Sequence, residues 1–462
     1  MLFNSLAFLL FLPVVFGLYW SFRSAVGQNR VVVVASMFFY GWWDWRFLLL
    51  MVATCVADYW FAQAIERSAY RKRRKHWLLA AIVVNMGLLG VFKYFNFFAD
   101  NLAEIFSWLG IRADIPTLHI ILPIGISFYT FQLTAYVVDV YRGQLRACRS
   151  LELFLSFICF FPQLVAGPIE RGANLLPQFA EKRVFDYSFA VDGMRLFLWG
   201  LMKKMLVADN CAPVADYVFD NYQSLATVDL WIGLFAFTVQ VYCDFSGYSD
   251  MAIGSAKLFG IRLSTNFNHP FFAVTIRDFW RRWHMTLMGW LRDYVYFPLG
   301  GSRCSPLRHY FNVFALYMLS GLWHGPNWSF IVWGTWNGLF NVTTKNMRMP
   351  RGVSWFITIM VFMLSQVFFR NPTVTDGFEY FGRLFAFDGT LANTASRIPL
   401  LLAAALFLTE YATRNYAHPF FQFCRAGGIW RWRMSRFALY AVCFACCVLL
   451  GGQQVQFIYF QF

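Results

Sequence analysis

Apolar stretches recur from one end of this chain to the other, and no polar segment between them is long enough to fold alone in water. Of the 462 residues, 59% are hydrophobic and 14% are charged, whereas soluble domains are about a quarter charged. This deficit of charge indicates that lipid is the solvent. The apolar runs are continuous rather than alternating, which favours membrane helices over the strands of a β-barrel. The sequence therefore predicts one all-α polytopic membrane domain over residues 1–462.

The apolar stretches also define candidate membrane spans. Several are shorter than the ~20 residues that a helical crossing needs, so some are expected to be re-entrant or interfacial. We expect about ten to twelve true crossings. The candidates are residues 2–20, 31–43, 47–65, 77–98, 118–140, 151–165, 189–207, 230–242, 310–322, 329–340, 353–369, 398–408 and 437–450.

Basic residues cluster in short loops, most densely at Arg67 and in the block 71–75. Membrane proteins retain lysine and arginine on the cytoplasmic side, so this block is expected to be cytoplasmic and the amino terminus to lie outside. The same retention accounts for the formal net charge of +15 without a nucleic-acid partner. Membrane lipid is therefore the expected surrounding. Residues 1–20 lack a signal-peptide cleavage pattern and are expected to be a retained span.

The sequence predicts no metal site and no bound cofactor. The ten cysteines have no paired metal-ligand spacing, and several lie in apolar runs, as packing residues do. The signatures of serine hydrolases, P-loop proteins and dinucleotide-binding folds are absent from the sequence.

The stretch 277–299 predicts an amphipathic helix. Its tryptophans and leucines recur at spacings of three and four and form an apolar stripe. Arg277, Arg281 and His284 would share another face of the same helix. Two interpretations stay open. The arginines either meet phospholipid head groups at the interface, or they line a polar mouth for an anionic donor such as a phosphopantetheine or nucleotide carrier.

A single histidine, His324, lies in the apolar segment 320–328, where a bilayer would surround the chain. An ionisable side chain at that depth costs about 2.5 kcal/mol or more, so it usually marks a site or a pathway. Pro326 disturbs the helix nearby and exposes backbone groups that must face a cavity or other protein. A neutral imidazole at such a break is suited to take a proton from an attacking hydroxyl. The alternative is a histidine that hydrogen-bonds between helices for packing.

Two carboxylates, Asp244 and Asp250, lie between apolar segments in the run DFSGYSD. They fit three roles: paired acids, metal ligands, or structural partners of Arg281 and Arg282. No clustered set of histidine, cysteine and aspartate has a recognised metal-binding spacing. A structural ion pair is therefore the default interpretation.

Motifs spread along the chain resemble the membrane-bound O-acyltransferase (MBOAT) family. They are LPIGISFYTF (122–131), FPQLVAGP (161–168), DFSGYSDMAIG (244–254), FWRRWH (279–284), WLRDY (290–294), GLWHG (321–325) and the closing FIYFQF (457–462). Within the family, they are most similar to the bacterial branch that takes part in alginate O-acetylation.

The resemblance implies a ring of membrane helices around a thinned centre, with funnels from both faces that meet near a histidine. It implies a catalytic core at residues 118–345. It also implies transfer of an acyl group, expected to be acetyl, from a cytoplasmic thioester such as acetyl-CoA or an acyl carrier protein. The implied acceptor is a secreted exopolysaccharide such as alginate or cellulose, reached with periplasmic acetyltransferase partners. The implied location is the bacterial inner membrane, with a periplasmic amino terminus.

Carried over by position, His324 matches the family's catalytic histidine and is expected to act as general base. His284 matches the second recurrent histidine. The residues expected to contact donor or acceptor are Arg277, Arg281, Arg282, Asp244, Trp323 and Asn327.

Two rivals remain open. In the first, an enzyme of the same fold transfers a D-alanyl group to teichoic acid. A transporter with a histidine proton relay predicts flux without chemical modification, but the chain shows no half-to-half repeat of the kind that many transporters have.

Overall fold

A computed structural model describes residues 1–111, 121–387, 395–420, 433–452 and 455–458 of the chain. The secondary structure in these ranges is all helical, which confirms the predicted fold class. The chain forms two compact units, one of Met1–Asp186 with Phe259–Leu263 and one of Tyr187–Leu258 with Ser264–Phe462. The expectation of a single domain stays a prediction.

The first unit is built from short and medium helices. Its helices are α1 (Leu6–Ser21), α2 (Ala25–Gly41), α3 (Trp45–Arg67), α4 (Arg71–Leu89), α5 (Phe95–Trp108), α6 (Ile126–Arg142), α7 (Leu151–Ile158), α8 (Phe161–Leu164) and α9 (Gly172–Ala180). A π-helical turn, Gly90–Tyr94, joins α4 to α5. The candidate span 151–165 is broken between α7 and α8. The first residues of the candidate span 118–140 lie outside the described part of the chain.

Caps and aromatic packing explain the first unit. The side chain of Ser24 accepts a hydrogen bond from the backbone N–H of Gly27 and so caps the start of α2. The rings of Phe39 and Phe161 pack with centroids 5.6 Å apart in a phenylalanine-rich core. The buried guanidinium of Arg183 is matched by polar groups of this unit, donating to Tyr19 Oη at 2.7 Å, for example.

The second unit carries most of the motif residues. Its helices are α10 (Tyr187–Met202), α11 (Asp209–Asp220), α12 (Thr227–Leu258), α13 (Ile276–Arg282), α14 (Met285–Leu291), α15 (Pro306–His324), α16 (Trp328–Thr343), α17 (Arg351–Arg370), α18 (Val374–Arg383), α19 (Ile398–Thr413) and α20 (Arg433–Leu450). π-helical turns occupy Lys203–Ala208 and Arg292–Tyr296, and a 3-10 turn at Thr344–Asn346 follows α16.

Glycines let two pairs of helices in this unit approach closely. A methyl group at Gly193 of α10 would lie 2.6 Å from the carbonyl oxygen of Gly254 on α12, so only glycine fits there. In the hairpin of α15 and α16, a side chain at Gly321 would overlap the backbone of Phe330, and one at Gly334 would overlap the backbone of Tyr317. The two helices of the hairpin therefore touch backbone to backbone.

Five helical stretches in the described part of the chain are long and apolar enough to cross a bilayer. They are Trp45–Arg67, Arg71–Trp108, Thr227–Leu258, Arg351–Arg370 and Arg433–Leu450, and the helices Leu6–Ser21 and Ile398–Thr413 are shorter and also apolar. The polytopic membrane prediction is confirmed. The larger number of crossings expected from the sequence stays a prediction, as do the orientation of the amino terminus and a ring of helices around a central funnel.

The single amphipathic helix predicted over 277–299 is wrong. Helix α13 ends at Arg282, and His284 adopts a left-handed backbone conformation with φ of 43° before α14 begins. A non-glycine residue with positive φ is uncommon and cannot continue a right-handed helix. His284 therefore does not share a helical face with Arg277 and Arg281.

A preceding segment of the chain explains the break. The backbone N–H of Asn268 donates to the carbonyl oxygen of Arg282 at 2.9 Å, and the N–H of Met285 donates to the carbonyl oxygen of Asn266 at 2.8 Å. These bonds use backbone groups on both sides of His284 that a continuous helix would pair internally. Local periodicity gives no information about such a partner, so the pattern of tryptophans and leucines suggested one helix.

Candidate active site

Asn266 fixes the ring of His284. Its side-chain oxygen Oδ1 lies 3.1 Å from His284 Nδ1, 3.3 Å from the backbone nitrogen of Thr286 and 2.9 Å from Thr286 Oγ1. The other end of the amide, Nδ2, donates to Ser249 Oγ at 3.2 Å. A backbone N–H can only donate, so the bond from Thr286 fixes which end of the amide is the oxygen.

This arrangement also decides the tautomer of His284. Since Asn266 Oδ1 only accepts, His284 Nδ1 carries the proton and Nε2 is the acceptor of the ring. His284 is 1% exposed and lies between α13 and α14, outside the candidate membrane spans. Burial lowers its pKa to about 3, so the imidazole is neutral at physiological pH.

His324 is the last residue of α15, at the tip of the hairpin that α15 forms with α16. Gly325 follows in an extended conformation, and the side chain of Asn327 caps α16 by accepting from the N–H of Ser329 at 3.0 Å. Asn327 Nδ2 also donates to the carbonyl oxygen of Pro372. The cap therefore determines where the hairpin turns. Asn327, predicted to contact substrate, makes these structural bonds.

Aromatic rings enclose His324, which is 4% exposed. The centroids of the Trp323, Trp333 and Phe369 rings lie 5.0, 5.1 and 5.3 Å from the centroid of its imidazole. Trp323 also lies 5.7 Å from the ring of His284. The structure thus brings His324, His284 and Trp323 together, and the two histidines are neighbours across one indole.

The carboxylates of α12 pair with lysines instead of arginines. Asp244 Oδ1 lies 2.9 Å from Lys204 Nζ, and Asp250 Oδ2 lies 2.5 Å from Lys203 Nζ. Asp209 also binds Lys204, at 2.8 Å. The expectation of a structural ion pair was right in kind, but the predicted partners Arg281 and Arg282 were wrong. The π-helical turn at Lys203–Ala208 positions both lysines toward α12.

The same network holds the end of the described chain. Asp244 Oδ2 accepts from the backbone N–H of Ile458 at 2.8 Å, and Lys204 Nζ donates to the carbonyl oxygen of Val455 at 3.0 Å. Phe457, between them, packs 5.8 Å from the ring of Phe245. Phe245 in turn contacts the ring of His284 edge-on at 4.6 Å. Asp244 therefore supports the surroundings of His284 through this chain of contacts.

The three arginines of α13 have different surroundings. Arg282 Nε donates to Asp278 Oδ1 on its own helix at 3.0 Å. Arg281 is exposed. Arg277 is exposed and lines a cavity of about 210 Å³ together with Lys345. Of the three arginines, Arg277 is the one that lines this cavity.

Several residues of this site were absent from the sequence prediction. Asn266 had no signal of its own, because its role depends on the fold. Lys203 and Lys204 did have one, since they are adjacent charges within the largely apolar stretch 189–207. In the described part of the chain, no group of three or more histidine, cysteine, aspartate or glutamate side chains is placed to hold a metal ion.

Comparison with known proteins agrees with the motifs. The sequence profile of MBOAT, the membrane-bound O-acyltransferase family, matches residues 148–371, a range that includes His284 and His324. The chain is 40% identical over 435 residues to the probable alginate O-acetylase AlgI of Azotobacter vinelandii, covering 91% of this chain and 86% of that protein.

Two further relatives carry different names. The chain is 35% identical over 466 residues to the peptidoglycan O-acetyltransferase of Helicobacter pylori, covering 92% of this chain and 87% of that protein. It is 29% identical over 231 residues to the teichoic acid D-alanyltransferase of Bacillus subtilis, covering 47% of this chain and 57% of that protein. The resemblance inferred from the motifs is confirmed.

Proposed function

Since this chain belongs to the membrane-bound O-acyltransferase family and is a membrane O-acetyltransferase by its relatives, we propose that it moves acetyl groups from a cytoplasmic thioester donor toward a secreted polysaccharide. The observation that carries the proposed site is the contact of Trp323 with both histidine rings. Two buried imidazoles at one indole place two proton-handling groups within reach of one reacting centre.

In the proposed reaction, His324 is the general base. It takes the proton from the acceptor hydroxyl while the hydroxyl oxygen forms a bond to the acyl carbon. The carbon–sulfur bond then breaks, and the leaving thiolate takes the proton from the imidazolium of His324. The products are the acetyl ester and a free thiol.

His284 has a positioning role in this proposal. Its ring is neutral and its Nδ1 proton is held by Asn266, so Nε2 is an acceptor with a fixed direction. Such an acceptor is suited to orient a hydroxyl of the acceptor or an N–H group of the donor.

The aromatic walls have a chemical consequence. His324 is 4% exposed and His284 is 1% exposed, and the rings of Trp323, Trp333 and Phe369 flank His324. Walls of this kind exclude bulk water, which protects a thioester from hydrolysis before the acceptor arrives.

The names of the full-length relatives support a glycan as the final acceptor, since one refers to alginate and another to peptidoglycan. We place the enzyme in the bacterial inner membrane with its amino terminus in the periplasm. Periplasmic acetyltransferases would carry the acetyl group onward, and acetyl-CoA or an acyl carrier protein would supply it. D-alanyl transfer is the second candidate, but the relatives with that name match 47% of this chain.

Replacement of His324 by alanine tests the proposal. General base catalysis contributes about 10²- to 10⁴-fold, so acetylation of the polymer by His324→Ala should fall by at least that lower factor. Acetyl release from the isolated polysaccharide measures the effect, with the amount of protein in the membrane fraction determined in parallel. His76→Ala is the matched control, because His76 is exposed on α4 in the first unit. Unchanged acetylation in a well-expressed His324→Ala strain would refute the assignment.

A labelled donor separates acetyl transfer from the alternative. Membranes that contain the enzyme should pass label from [¹⁴C]acetyl-CoA or an acetylated carrier protein to the polymer. Label that enters only from a D-alanyl carrier would favour the second candidate.

A further inference from the structure

A polar cluster lies in the interior of the first unit, between α3, α4 and α6. Asp58 on α3 and Asn85 on α4 are both 0% exposed, and Asn85 Nδ2 donates to Asp58 Oδ1 at 3.1 Å. Both helices belong to stretches that are long and apolar enough to cross a bilayer. An ionisable side chain inside such a stretch is costly and usually marks a site, so this pair needs an explanation.

Helix α6 packs against both α3 and α4, and one contact shows how it is turned. Arg74, at the start of α4, lies over the ring of Tyr141 near the end of α6, 5.6 Å from the ring centroid. Arg74 Nη2 also donates to the carbonyl oxygen of Tyr141 at 2.8 Å. The two helices therefore run antiparallel, and the face of α6 that carries Tyr141 is turned toward α4.

Two threonines share that face of α6. Thr134 and Thr130 are seven and eleven residues before Tyr141, and such spacings return to the same side of a helix. Thr130 also lies at the level of Asn85, because each is eleven residues, or roughly 16 Å, along its own helix from the contact at Tyr141. The two hydroxyls are thus placed beside Asn85 and its partner Asp58.

The residue before Thr130 is turned toward α3. Tyr129 and Asp58 both interact electrostatically with the thiol of Cys55, which lies about one turn before Asp58 on α3. The same part of α6 therefore contacts α3 through Tyr129 and faces α4 through Thr130. All three helices enclose the cluster.

Four oxygens of this cluster have no hydrogen-bonding partner within the described ranges of the chain. They are Asp58 Oδ2, Asn85 Oδ1, Thr130 Oγ1 and Thr134 Oγ1. A threonine hydroxyl in a helix commonly bonds the carbonyl oxygen one turn back, as Thr54 Oγ1 on α3 does with Leu50 at 2.7 Å. Thr130 and Thr134 do not make that bond. Native proteins rarely leave buried polar atoms unmatched, so a further partner is expected among these oxygens.

The charge of Asp58 also lacks a match. Among the described residues, no lysine, arginine or histidine forms an ion pair with its carboxylate. Protonation would remove the charge, but the new O–H at Oδ2 would have no described acceptor within hydrogen-bonding distance. Water would match the oxygens and leave the charge. A cation satisfies both, since it binds between oxygens that do not touch one another.

We propose that Asp58, Asn85, Thr130 and Thr134 bind an alkali metal cation. All four ligands would be oxygens, which hard cations prefer. One carboxylate supplies a single negative charge, so a monovalent ion makes the site neutral, whereas a divalent ion would leave a net positive charge in an apolar span. Clusters of histidine, cysteine and carboxylate do not reveal such a site, because only one of its ligands is of those types. The inference does not depend on the proposed function.

Thermal unfolding in different salts tests the site. The full chain in phosphatidylcholine nanodiscs is melted at about pH 8, where exposed carboxylates are ionised, and unfolding is followed by tryptophan fluorescence. The samples contain NaCl, KCl or choline chloride at equal ionic strength. A ligand that binds only the folded state raises the melting temperature, so NaCl or KCl should raise it by about 2 °C or more over choline chloride. The more effective salt identifies the ion. Equal melting temperatures in all three salts would overturn the proposal.

Asp58→Asn removes the charge and keeps the shape of the side chain. It should lose the difference between the salts, because the neutral amide no longer attracts a cation. In choline chloride it should melt at the wild-type temperature or above it, since the wild type then holds a buried charge without a counter-ion. Salt dependence that persists in Asp58→Asn would rule out Asp58 as the ligand that determines binding.

Thr130→Val keeps the charge of Asp58 and removes one ligand. It should raise the cation concentration that gives half of the thermal shift by about tenfold. Thr54→Val is the matched control, because Thr54 is also buried and its hydroxyl is already bonded to the backbone of α3. It should keep the wild-type concentration. An unchanged value in Thr130→Val, or an equal shift in Thr54→Val, would contradict the assignment of the ligands.

Magnesium chloride separates a monovalent site from a divalent one. At the same ionic strength it should not replace the alkali cation, and stabilisation by magnesium that Asp58→Asn abolishes would overturn the argument from charge. These melts contain neither donor nor acceptor. Salt-dependent stability without acetyl transfer would therefore remove the proposed function and keep the cation site, and transfer without salt-dependent stability would do the reverse.

Discussion

The second unit holds positive charges in two contrasting regions. Lys203 and Lys204 are buried beside α12, and each is within 3 Å of a carboxylate oxygen, at 2.5 Å for Lys203 and 2.8 Å for Lys204. Arg277 and Lys345 are exposed at the mouth of a cavity whose described lining contains no carboxylate. The first pair is matched by the protein itself. The second pair is available to a ligand.

The contrast separates stability from binding. A buried cation that loses its partner is left with an uncompensated charge, which is strongly destabilising. An exposed cation gains little from ion pairs, because water screens it. The matched lysines should therefore control folding, and the cavity cations should control affinity for an anion.

Removal of Lys204 should have the largest effect on stability. Lys204→Met leaves Asp209 and Asp244 buried, with side chains 3% and 2% exposed, and should cost about 3–5 kcal/mol of folding free energy. Lys203→Met should cost less, because its partner Asp250 keeps 19% exposure. Denaturant unfolding of the purified protein in detergent measures both. If Lys203→Met lost more folding free energy than Lys204→Met, the cost would not depend on how deeply the partner carboxylate is buried.

His284 is a buried base that stays neutral at physiological pH, so the folded protein should lose stability as the pH is lowered. Its folded pKa of about 3 lies below the unfolded value of about 6.5. The stability that it contributes is therefore fully present above pH 6.5 and is lost as the pH falls toward 3. Between pH 7 and pH 5 the wild type should lose about 2 kcal/mol more than His284→Gln does. Parallel unfolding curves at the two pH values provide the test, and equal losses in both proteins would contradict the buried neutral ring.

The cavity cations should have the smallest effect on stability. Arg277→Gln/Lys345→Gln should change the folding free energy by no more than about 0.5 kcal/mol, as exposed substitutions usually do. The same unfolding measurement checks this value. A loss as large as that of Lys204→Met would mean that the cavity cations are structural, and the contrast between the two regions would disappear.

Much of the fold was predictable from the sequence, because apolar run length and charge distribution are local signals. The motifs also led to His324 and His284, and the structure places both beside Trp323. The break before α14 was not predictable in this way, since it depends on backbone pairing with Asn266, eighteen residues upstream of His284. Periodicity within 277–299 carries no trace of that pairing.

Two other omissions had different causes. Lys203 and Lys204 are adjacent charges within a largely apolar stretch, and the reasoning that selected His324 applies to them equally. The polar side chains of α16 were missed because residues 329–340 were treated as one apolar candidate span. Ser329, Trp333, Asn337 and Asn341 recur every four residues, a period that could have been found in the sequence. That Ser329 Oγ, Trp333 Nε1 and Asn337 Oδ1 are bonded to no described group required coordinates.

The glycine contacts of the α15–α16 hairpin fix the positions of the two helices along each other. Because Gly321 and Gly334 press each helix against the other's backbone, side-chain rearrangement cannot slide the helices past one another. The distance from His324, at the end of α15, to the far end of α16 is then set by helix length alone. A relative in which this distance differs would have to gain or lose a turn, about 5.4 Å, in both helices at once. Insertions and deletions in this hairpin are therefore expected to occur in pairs.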